Sequence, residues 1–163
     1  MLENITDLVK QHAGDAIINN PAIPNEKNDE VVEDASSSIV SGLKSAVANG
    51  NIDGVMDLFK GGSQAAATSP VTHNIQAGFI QNLTQKFGLD QGRAGQIASS
   101  LIPIVLQKLV HKTNDPNDSS FDLQSIIGQL TGGAGIGDIM KNFGGGDKGK
   151  EGGMFGKIKG MFN

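Results

Sequence analysis

Val71, Ile75, Phe79, Leu83 and Phe87 recur at every fourth residue, with Ile80 beside them, and no stretch of the chain sustains strand-like alternation. A four-residue step puts these side chains on one face of a helix, so this chain must build its core by packing helices. Ser69-Pro70 supplies an N-cap followed by proline at the first helical position, and Gly88 ends the run. Asp90 then caps a second helix. In it Ile97, Ala98, Leu101, Ile102, Val105, Leu109 and Val110 cover most of the circumference, as in a central buried helix. Pro103 lies inside it and predicts a kink or a break near Ser99 to Ile102.

The same grammar reads outward in both directions. Leu2, Ile5, Leu8, Val9 and Ala13 make one apolar face, and Asn19-Asn20-Pro21 and Ile23-Pro24 interrupt it. A further helix starts near Pro24 to Lys27, with acids in its opening turns that complement the helix dipole. Val32, Ala35, Ile39, Gly42, Leu43 and Ala46 form its buried stripe, and Asn49-Gly50 stops it. Gly42 on that stripe admits a close neighbouring helix. A short piece follows from Asn51 to Lys60, and after the Asn114-Asp115-Pro116 turn Phe121, Leu123, Ile126, Ile127 and Leu130 make one more helix.

Glycine divides the chain. Thirteen of its 23 glycines lie between Gly128 and Gly160, a density that opposes continuous helix because each interior glycine costs about 1 kcal/mol relative to alanine. The expected architecture is therefore all-α: a compact bundle of about six short helices with a glycine-rich C-terminal tail ending in a short amphipathic helix. Residues 1–62 are expected to be acidic N-terminal helices packing on the body. Residues 63–69 read as a small-residue connector, residues 70–131 as the central helical unit, and residues 132–163 as the tail.

Composition removes several functions. With no cysteine there is no disulfide, thiolate metal site or cysteine nucleophile. A net charge of −4 with a single arginine, Arg93, opposes general nucleic-acid binding, and the longest apolar run, Leu101 to Leu106, is too short to span a bilayer. The acidic start, Glu3 and Asp7, lacks the basic residues of a signal peptide, so a cytoplasmic protein is expected.

Candidate chemistry is sparse. His12, His73 and His111 fall on three different predicted helices, and none pairs at metal-binding spacing. The stretch from Asp115 to Asp122 begins like a calcium loop, but Ser120 stands where glycine is needed and Ile126 where a bidentate glutamate is needed. Ser41-Gly42-Leu43-Lys44 lacks the companion motifs of acyl-transfer enzymes, and Gly133 to Gly137 follows a helix rather than a strand. No catalytic residue, metal or cofactor is expected.

One pattern survives. Ile52, Val55, Met56 and Phe59 have the spacing of Ile136, Ile139, Met140 and Phe143, and Met154, Phe155, Ile158, Met161 and Phe162 form a looser third copy. Each is a two-turn stretch bounded by glycines and too short to be stable alone. The first is expected to pack on its own bundle. The third follows Gly144 to Gly153 and carries Lys150, Lys157 and Lys159 nearby, which suits an adaptable binding face. Met154, Phe155, Ile158, Met161 and Phe162, with Ile136, Ile139, Met140 and Phe143, are therefore the expected partner-binding residues.

Phe87-Gly88-Leu89-Asp90, Ala94, Ala98, Leu101-Ile102-Pro103 and Leu109, followed by Asp122-Leu123-Gln124-Ser125-Ile126-Ile127-Gly128, resemble the YidB-like family of small bacterial proteins. Thr131-Gly132-Gly133, Gly137-Asp138-Ile139 and the stretch from Asn19 to Lys27 add to the likeness, which covers roughly residues 70–145. The resemblance implies an all-helical bacterial domain of unknown function and brings no catalytic residues. The tryptophan-bearing C-terminal motif of some members is missing here.

Three functions follow in order. The first is a non-catalytic protein acting through protein–protein interaction or self-assembly, its partner another protein or a second copy, with the C-terminal Met/Phe segment as a docking hook. The alternative is peripheral membrane association through that basic amphipathic segment, whose three lysines give only weak anchoring. The third is a helical DNA-binding module, for which only Lys86, Arg93, Lys108 and Lys112 offer positive charge, so no nucleic-acid partner is expected.

Overall fold

Local capping chemistry sets several of the helix ends. The structure, a computed structural model, describes residues 2–117 and 121–133. The described helices are α1 (Leu2–His12), α2 (Asn28–Ala48), α3 (Ile52–Lys60), α4 (Gly62–Thr68), α5 (Pro70–Phe87), α6 (Gln91–Thr113) and α7 (Leu123–Leu130), and the fold is all-α. Ser69 Oγ accepts from the Val71 amide at 3.1 Å, Asp90 Oδ1 from Arg93 at 3.1 Å, and Asp122 Oδ2 from Ser125 at 3.0 Å. Gly88, at φ +68°, turns the chain out of α5, and the Leu89 amide reaches back to the Leu83 carbonyl.

Helix α6 lies against α5, α4 and α1, while α2 lies against α5 and α1. Apolar side chains from all seven helices form one contiguous core, in which Phe59, Phe79, Leu101 and Leu106 are among the largest fully enclosed groups. The Lys112 ammonium at the end of α6 lies 5.3 Å from the centroid of the Phe121 ring.

Four local features differ from the sequence expectation. Residues 63–69 are not a plain connector, because 62–68 form α4. The run Ala65-Ala66-Ala67 favours helix, Ala66 is fully buried, and the buried Thr72 hydroxyl donates to its carbonyl at 2.8 Å. Pro103 does not break α6, which runs unbroken from Gln91 to Thr113. The Ser99 carbonyl that loses its intrahelical donor belongs to a solvent-exposed residue, so water can serve it. Nor is α6 enclosed all round: Ser100, Ile104, Lys108 and His111 are exposed along one edge.

The fourth difference follows α1. Gly14–Ile18 make a π turn in which the Ile18 and Asn19 amides bond the carbonyls of Ala13 and Gly14. This turn keeps Ala13 and Ile17 fully buried while Leu2, expected on the apolar face, is 47% exposed.

Candidate functional site

None of the expected partner-binding residues can be placed: Ile136, Ile139, Met140, Phe143, Met154, Phe155, Ile158, Met161 and Phe162 all lie outside the described residues. The first copy of that pattern is described. Val55 and Phe59 are buried and Ile52 and Met56 half-buried, so α3 packs on its own body. His12 is half-buried on α1, and His73 and His111 are exposed on α5 and α6. Among the described residues no three acidic or histidine side chains gather as metal ligands. Asp115 Oδ1 accepts from the Asn117 amide at 2.9 Å and Asp122 caps α7, so both carboxylates organise backbone.

The site that does emerge lies between α2 and α5. These helices run antiparallel, as three pairings show. Lys86 Nζ donates to Asp34 Oδ1, Asn82 Nδ2 donates to Ser38 Oγ at 3.2 Å, and Gly42 packs against Ile75. Their outer faces leave a groove of about 610 Å³. One wall carries Ser37, Ser41, Ser45 and Asn49, and the other carries Asn74, Gly78, Asn82 and Lys86. Each wall repeats every four residues, so hydroxyls, carboxamides and a glycine line up one helical turn apart. Asp34 and Lys86 are the ionisable side chains of this lining, and Ala46 and Ile75 add apolar surface between the hydroxyls and carboxamides, which can act through hydrogen bonds (roughly one net kcal/mol each).

Asp34 closes one end. It is only 7% exposed, whereas Lys86 is 60% exposed. Asp34 Oδ2 is buried and has no hydrogen-bond partner. Removing the lysine would leave a buried carboxylate without its ammonium, so Lys86→Met is expected to lower stability by about 1–3 kcal/mol. Lys27→Met, which breaks the exposed 3.0 Å pair with Glu30, is expected to change it by less than about 0.5 kcal/mol. Urea denaturation of the two variants separates these outcomes.

Gly78 sits exposed in the middle of the α5 wall, and a Cβ built there meets nothing within 4 Å. Gly78→Ala should therefore raise stability by about 0.5–1 kcal/mol, read as a higher denaturation midpoint, because it removes backbone freedom from the unfolded chain.

Sequence reasoning missed this groove. The four-residue polar steps were visible, but the pairing of α2 with α5 that makes two walls of them was not. Among the described residues no helix is long and apolar enough to cross a membrane. No family model, curated protein or solved structure matches this chain.

Proposed function

We propose that this is a non-catalytic bacterial protein, cytoplasmic, that works by binding polypeptide, either further copies of itself or another protein. The observation that carries this reading is the lining of the α2–α5 groove, whose hydroxyls and carboxamides hold a partner without transforming it. The YidB-like resemblance over roughly residues 70–145 supports the bacterial assignment and is compatible with a role that needs no catalytic residue. In this reading Met154, Phe155, Ile158, Met161 and Phe162 supply apolar anchors that dock on the partner, and Ile136, Ile139, Met140 and Phe143 extend them. A few buried aromatic and Met anchors dominate such contacts, so their removal has a large effect.

Light scattering coupled to size-exclusion chromatography tests this on three proteins: the full chain, a truncation after Gly144, and the Phe155→Asp, Phe162→Asp double variant. Self-association or capture of a defined partner is expected for the full chain and lost in the other two, with unchanged thermal unfolding. An unchanged oligomeric state and an unchanged pull-down profile in the double variant would refute the anchor role.

A further inference from the structure

We propose that residues 154–162 dock on their own chain, in the cleft where the turn Gly14–Ile18 meets α6. The cleft, of about 420 Å³, lies between Gln11, Asp15 and Ala16 on one side and Ser100, Leu101 and Ile104 on the other. Two of the three exposed large apolar side chains among the described residues flank it. Ile104 is 42% exposed on the α6 side, and Ile18, 48% exposed, ends the turn that forms the other. The π turn that keeps Ala13 and Ile17 in the core leaves Ile18 outside it. Single exposed apolar residues are ordinary, but two flanking one cleft form a surface that a docking segment can cover.

Pattern, charge and tether length name the occupant. At helical spacing Met154, Phe155, Ile158, Met161 and Phe162 share an arc of roughly 120°, with Lys157 and Lys159 on its two flanks. Gly156 and Gly160 weaken so short a helix, so it needs a surface to form on. Residues 1–48, which supply one side of the cleft, hold eight acids against three lysines, whereas residues 148–159 hold four lysines against one glutamate. Asp15 in the cleft and Asp7 on α1 have no ion-pair partner among the described residues, and Lys108, the next exposed residue on α6, lies outside the lining. Twenty residues separate Gly133 from Met154. A coil of that length spans roughly 25 Å, against a radius of gyration of roughly 14 Å for a domain of about 130 residues. The segment therefore meets its own cleft at an effective concentration of about millimolar, above that of a second copy in dilute solution. An outside partner then competes with this contact for the same anchors.

The test uses the full chain. It contains no cysteine, so Asn163→Cys places a single nitroxide label beside Phe162. In dilute protein with isotope-enriched isoleucine methyl groups, the label should broaden the Ile18 and Ile104 resonances and leave Ile75, between α2 and α5, sharp. Ile104→Asp, at an exposed position, should lower the docked-to-free ratio read at Ile18 at least roughly tenfold and keep the wild-type melting temperature. Lys157→Glu with Lys159→Glu, which alters only the segment, should weaken docking in the same direction and decides the matter if Ile104→Asp unfolds the body. No broadening, broadening at Ile75 instead, or broadening indifferent to these variants would overturn the proposal. So would broadening that appears only between nitroxide-labelled copies and separate isotope-enriched copies, which would make a second copy the occupant. Failure to find self-association or a partner by light scattering and pull-down would leave the intramolecular broadening in place, so this contact and the interaction reading fail separately.

Discussion

Truncating Leu101 to alanine is expected to cost about 2–5 kcal/mol, a large share of the roughly 5–15 kcal/mol that holds a domain of this kind. Leu101 is fully enclosed on α6, the helix that α1, α4 and α5 pack against. The lost transfer energy of the removed atoms is only part of the cost. The remainder depends on how far the neighbours can close the cavity, and here they are helices already held by the rest of the core. Ile104, one turn along the same helix but 42% exposed, provides the internal comparison: Ile104→Ala should cost less than about 1 kcal/mol. Urea denaturation reads both, with an unchanged slope required for the comparison. A loss under about 1 kcal/mol for Leu101→Ala would mean that this face of α6 is not the enclosed one.

The features legible in the sequence were those decided within a turn of the chain. Ser69-Pro70, Asp90 and Gly88 act on the amides and carbonyls next to them, so they mark helix ends without reference to any tertiary neighbour. Residues 62–68 were not legible as helix, because glycine and alanine draw no apolar stripe. Ala66 is buried by packing of α4 on α6, a contact some 40 residues away in sequence. The π turn at Gly14–Ile18 depends on one added residue per turn, which no apolar period announces. That α6 continues through Pro103, rather than breaking there, was not legible for a related reason: the cost of the proline depends on whether the freed carbonyl reaches water, and exposure is tertiary information. The groove shows the division most clearly. Ser37, Ser41, Ser45 and Asn49 were visible as a step of four, but a polar step reads as an ordinary solvated face. It becomes a wall only because Asp34 meets Lys86, 52 residues on, and Ser38 meets Asn82, 44 residues on.

Gly42→Val is expected to destabilise the protein by about 2–3 kcal/mol, the upper part of the range for overpacking a core contact. A Cβ built at Gly42 lies 2.3 Å from Ile75 Cγ1 and 3.3 Å from Ile75 Cβ, so it meets the stem of a β-branched side chain rather than a flexible tip. Ile75 is 1% exposed and stiff at χ1, and it cannot step aside without moving α5. The gain of up to about 1 kcal/mol that a glycine replacement brings to a helix interior is smaller than this clash, and valine realises little of it. Gly78 faces the same groove from α5 with open space around it, which is why replacement there is expected to act in the opposite direction. The origin of the Gly42 effect can be isolated. Ile75→Ala removes the clashing atom, so Gly42→Val with Ile75→Ala should lose about 1–2 kcal/mol less than the two single losses added together. Additivity within about 0.5 kcal/mol would sink the close-approach account, because two residues in contact through one atom must couple. The same wedge widens the separation of α2 and α5, and with it the spacing of the two polar walls, so the residue that lets the helices approach also sets the width of the groove.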